Sequence, residues 1–67
     1  MITIYLNGEA RAIPAQTDLV RLLEEFSLPS NRIAIELNKI VIRRSDWPVT
    51  KIREGDKLEV VHFVGGG

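Results

Sequence analysis

Thr17-Asp18-Leu19-Val20-Arg21-Leu22-Leu23-Glu24-Glu25-Phe26-Ser27-Leu28 is the segment that decides the fold class, because its helical periodicity is flanked on both sides by strand-like alternation. Leu19, Leu22, Leu23 and Phe26 fall at i, i+3, i+4 and i+7, and Val20 widens the apolar stripe. Arg21, Glu24 and Glu25 point the other way. Thr17 or Asp18 can cap the first turn, since either side chain accepts an orphan backbone N–H. Pro29 is expected to end the helix by biasing Leu28 away from helical geometry.

Toward the N-terminus, Ile2, Ile4 and Leu6 alternate with Thr3 and Tyr5, the period-two pattern of a half-buried strand. Asn7-Gly8 is a hairpin signal, because both residues tolerate positive φ. The return strand, Glu9 to Ile13, is weaker in pattern; it is read as an edge strand that Pro14 stops. Toward the C-terminus, Ile33, Ile35 and Leu37 alternate with Arg32, Ala34 and Glu36. Asn38-Lys39 reads as a tight turn into a short strand, Ile40 to Ile42. Residues 43–53 are irregular, with Ser45 or Asp46 able to cap a short turn around Trp47-Pro48. Glu54-Gly55-Asp56 is another turn, and Lys57 to Val64 is the last strand. Two strands, one helix and three strands describe an α+β domain with the helix across one sheet face.

Parity orients the last strand. Lys57 and Glu59 belong in solvent, so Leu58 and Val60 face the helix. Val61 and Phe63 then lie on the opposite face, either as a partner surface or on a strand end that bends over the core.

Composition narrows the function. In 67 residues there is room for one domain and one small core, drawn from 21 Ile, Leu and Val residues. No cysteine is present and His62 is the only histidine, which excludes disulfide staples, a zinc cluster and a nucleophilic thiol. It also leaves no thiol on which sulfur could ride. The formal charge of zero argues against electrostatic capture by nucleic acid or an anionic membrane. No apolar run approaches the roughly 18 residues of a membrane span. Met1 to Leu6, followed at once by Asn7-Gly8-Glu9, is not a signal peptide, and the reading is a soluble cytoplasmic protein.

The inventory is poor in catalytic groups. His62 is read as a strand residue near the core edge rather than a base. Glu24-Glu25 and the Glu54/Asp56 turn are read as solvated surface. No Gly-rich loop precedes a helix, so there is no phosphate cradle. Tyr5, Phe26, Trp47 and Phe63 are not interleaved with a basic patch. Arg43, Arg44, Lys51 and Arg53 could form a local basic face, with a solvated loop as the plainer account.

Gly65-Gly66-Gly67 is different. No polar spacer separates it from the last strand, and no serine run or tag continues it. Three extended residues reach about 10 Å, and without side chains they can enter a slot too narrow for a Cβ. Ordering them costs roughly 1–2 kcal/mol per residue, which docking near Val61, Phe63 and Val64 could offset. What they present is an α-carboxylate, inert as an acyl donor until a partner activates it, most economically by acyl adenylation.

The order of elements, the Glu54-Gly55-Asp56 turn and the ending Val60-Val61-His62-Phe63-Val64-Gly65-Gly66-Gly67 resemble the ubiquitin-like β-grasp sulfur carriers, in particular the thiamine-biosynthesis sulfur carriers (ThiS family). The likeness extends over the opening Met1 to Gly8 hairpin and the Ile40-Val41-Ile42-Arg43 to Trp47 stretch. It implies a mixed five-stranded sheet on one main helix, with residues 1–64 folded and 65–67 a flexible tail. It further implies that Gly67 is adenylated by a ubiquitin-activating-type adenylyltransferase that uses ATP and Mg. Sulfur from a cysteine-desulfurase-derived persulfide then replaces the adenylate, and thiazole synthase consumes the resulting thiocarboxylate. Gly65 and Gly66 would line the narrow entry to both partner sites, and Val61, Phe63 and Val64 would dock. On this reading the chain is a monomer when free and not an enzyme; it binds no cofactor or metal itself. The third glycine departs from the usual pair. Alternatives are a molybdopterin-synthase-type small subunit, a ubiquitin-like protein modifier and a noncovalent β-grasp interaction module.

Overall fold

A computed structural model describes residues 1–63; positions 64–67 lie outside the described residues. The elements are β1 (Ile2–Leu6), β2 (Glu9–Ile13), α1 (Leu19–Glu25), β3 (Ile33–Leu37), β4 (Ile40–Ile42), a 3-10 helix (Arg44–Val49) and β5 (Lys57–His62). The strands form one mixed sheet in the order β2-β1-β5-β3-β4. β1 and β5 are parallel, and the other pairs are antiparallel. With α1 packed on one face, this is the β-grasp arrangement.

Both hairpins turn on two residues with positive φ: Asn7 and Gly8 at 50° and 84°, Asn38 and Lys39 at 52° and 71°. That backbone twist matches the twist of the strands it joins. Registers confirm the expected parity. Ile2 lies opposite Ile13, Ile35 opposite Val60 and Ile42, and Leu37 opposite Leu58. These side chains meet Leu19, Leu22 and Leu23 of α1 in a core that also buries Trp47 and Ile52. The Trp47 indole N–H donates to the Ile42 carbonyl at 3.0 Å, so its burial leaves no polar atom without a partner.

Three local expectations are corrected. The helix ends at Glu25, well before Pro29. Ser27 takes φ 54°, its N–H reaches the Glu24 carbonyl at 3.2 Å, and the Leu28 N–H reaches that of Leu23 at 2.8 Å. This is a Schellman closure, which satisfies the last carbonyls without help from proline. At the other end the structure selects between the two expected caps: Asp18 accepts from the Arg21 N–H at 2.8 Å, while the Thr17 hydroxyl donates to the Pro14 carbonyl.

The 3-10 helix begins from Arg43, with neither Ser45 nor Asp46 at its cap and no side-chain capping bond. The Glu54/Asp56 pair is not idle surface. Glu54 Oε1 accepts from the Thr3 N–H at 3.0 Å, and Asp56 accepts from the Arg53 N–H and the Asn38 amide. These carboxylates hold the turn that feeds β5 beside β1.

Candidate functional site

The last strand is central in the sheet although it is last in sequence. β1 flanks it on one side and β3 on the other, so its C-terminal end lies within the sheet rather than on a lateral edge. The described strand stops at His62 rather than Val64, and the Phe63 N–H makes one more bond, to the Arg32 carbonyl at 2.7 Å. Gly65, Gly66, Gly67 and Val64, the expected tail and part of the docking set, lie outside the described residues.

Val61 and Phe63 are 45 % and 54 % exposed, on the face turned away from α1. This excludes the alternative in which the strand end bends over the core. Val61 lies opposite Ala34, Glu59 opposite Glu36, and Glu36 opposite Val41, itself 63 % exposed. Ala34 and Val41 therefore join Val61 and Phe63 on one surface. The alternation of β3 already placed Ala34 away from the core, but its cross-strand neighbour depends on register, which no local pattern states.

Asn7 was legible only as a turn residue, yet it also reaches the last strand. Its N–H donates to the Leu58 carbonyl and its Oδ1 accepts from the Val60 N–H, both at 2.8 Å.

His62 is exposed and sits opposite the core residue Ile33, at the edge of the core as expected. Among the described residues no three His, Asp or Glu side chains come together as a metal site, and no helix is long and apolar enough to cross a membrane. The basic residues do not converge. The Arg44 guanidinium stacks over Trp47 at 4.6 Å, Arg43 pairs with Asp46 at 3.7 Å, and Lys51 lines a separate groove with Arg21, Glu24 and Glu25. A solvated loop with local partners describes them better than a basic face.

The model of the ThiS family matches residues 4–67, a span that runs from β1 through the three glycines. The chain belongs to the ThiS family. It is 34 % identical over 64 residues to the sulfur carrier protein ThiS of Thermus thermophilus, covering 96 % of this chain and 98 % of that one. The crystal structure of the thiamine biosynthesis protein ThiS from Geobacter metallireducens superposes with a TM-score of 0.86 at 25 % identity, over 98 % of this chain and all of that one. The chain is also 41 % identical over 64 residues to a thiazole synthase of Magnetococcus marinus, and it spans only about a fifth of that protein's length. The ThiS-family likeness thus includes the open sheet face, the root of the tail and the glycines themselves.

Proposed function

We propose that this chain is a sulfur carrier for thiazole formation in thiamine biosynthesis, with Gly67 as the residue that carries the sulfur. The observation that carries this reading is the ThiS-family match, which extends to residue 67. The Gly67 carboxylate attacks the α-phosphorus of ATP in an adenylating partner, and pyrophosphate leaves. The terminal sulfur of a cysteine persulfide, supplied through a desulfurase, then attacks the acyl carbon and expels AMP. A second thiol cleaves the resulting acyl disulfide and releases the thiocarboxylate. Gly65 and Gly66 suit the entry to such a site because they carry no Cβ. Val61 and Phe63 supply apolar area for docking, and Val64 is the further apolar residue assigned to the docking set.

Thiazole synthase is the recipient on this reading. Support comes from the likeness between this chain and about a fifth of the Magnetococcus marinus thiazole synthase. ATP and Mg belong to the activating partner, and the place of action is the cytoplasm.

The test is the intact mass of the chain after incubation with the adenylating enzyme, ATP and a sulfur source. One oxygen-to-sulfur exchange at Gly67 is expected, and a chain lacking Gly67 should fold normally and show none. Failure of the full-length chain to gain sulfur refutes the proposal.

A further inference from the structure

We infer that Asn7 is a positioning residue for the C-terminal tail: its side chain replaces a missing main-chain acceptor and holds β5 in register up to its exit. The inference rests on the carrier reading above.

In a parallel ladder, a residue whose N–H bonds one carbonyl offers its own carbonyl to the N–H two residues further along the neighbour. The Tyr5 N–H bonds the Asp56 carbonyl at 2.9 Å, and Asn7 repeats the step with the Leu58 carbonyl. The next bond due is from the Val60 N–H to the main-chain carbonyl of Asn7. The chain, however, is already turning at Asn7 and Gly8. The Asn7 Oδ1 takes that place, 2.8 Å from the Val60 nitrogen. One residue thus performs two separable tasks, left-handed backbone for the turn and a surrogate acceptor for the strand. Val60 immediately precedes Val61, and two residues later Phe63 ends the described chain. On the β1 side, the Asn7–Val60 bond is the described hold on β5 nearest the tail. Without it, β5 past Leu58 is tied only to β3.

Two substitutions separate the tasks. Asn7→Gly keeps the positive φ and removes the acceptor; Asn7→Asp keeps an oxygen acceptor and tolerates the same φ. In the full chain, loss of this bond should speed hydrogen exchange at the Val60 amide by about fivefold to tenfold. With the adenylating enzyme, Asn7→Gly should raise KM for the chain by a similar factor at unchanged kcat. Asn7→Asp should restore both readouts. Trp47→Phe, which weakens the fold on the helix side, serves as the control for general destabilisation and should leave KM unchanged.

Wild-type KM and Val60 exchange in Asn7→Gly overturn the inference alone, as does an equal rise in KM for Trp47→Phe. A wild-type chain that gains no sulfur overturns the carrier reading and the inference with it.

Discussion

Val61 faces Ala34 directly across the β3–β5 ladder, on the sheet surface turned away from α1. Neither residue belongs to the core, so this surface can be altered without opening the fold. Replacing Val61 in the strand and Phe63 just past it by Thr keeps β-branching at position 61 and removes apolar area at both. Stability should change by less than about 1 kcal/mol, while association with the adenylating enzyme should weaken by about tenfold or more. Thermal melting and steady-state KM measure the two effects. Unchanged KM would move the docking surface elsewhere.

Ser27 holds the left-handed position that closes α1, at φ 54°. A residue with a Cβ pays about 1 kcal/mol there, and glycine does not. Ser27→Gly should therefore stabilise the domain by about 0.5–1 kcal/mol, raising Tm by several degrees. Calorimetry decides it. A lower Tm would show that the Schellman geometry is not what ends this helix.

The buried Trp47 indole bonds the Ile42 carbonyl, joining the 3-10 helix to the end of β4. Trp47→Phe keeps an aromatic ring but removes that hydrogen bond and leaves buried volume unfilled, at a cost of about 1–3 kcal/mol. In a domain this small, each kcal/mol shifts Tm by about 4–8 °C. Urea unfolding followed by circular dichroism reports it.

Asp56 accepts from the Arg53 N–H at 2.8 Å and from the Asn38 amide at 3.1 Å, tying the turn before β5 to the β3–β4 hairpin. Asp56→Ala should destabilise the chain by about 1–2 kcal/mol. Hydrogen exchange should accelerate first at Arg53, whose amide loses its acceptor. Equal acceleration across the whole chain would indicate global unfolding instead.

Most of the fold was legible because its signals are local. Alternation fixed the strand faces, Asn7-Gly8 and Asn38-Lys39 marked the hairpins, and the Leu19, Leu22, Leu23 stripe found the helix. The misreadings have a common physical origin. Pro29 advertises a helix end, but the closure at Ser27 depends on a left-handed serine whose bonds back to Glu24 and Leu23 no propensity reveals. Glu54 and Asp56 looked like solvated carboxylates because their partners, Thr3, Arg53 and Asn38, include backbone amides and a residue remote in sequence. At the site, parity separated Val61 and Phe63 from the core. Ala34 and Val41 entered only with the register, and the second task of Asn7 only with the parallel pairing of β1 and β5.

The central place of β5 has a mechanical consequence. Tension applied to the chain beyond Phe63 runs along β5 and loads its bonds to β1 and β3 side by side, in shear, whereas an edge strand pulled sideways would peel bond by bond. On the proposed reading, a partner that grips the glycines can therefore draw on them firmly, and withdraw, without unravelling the protein they belong to.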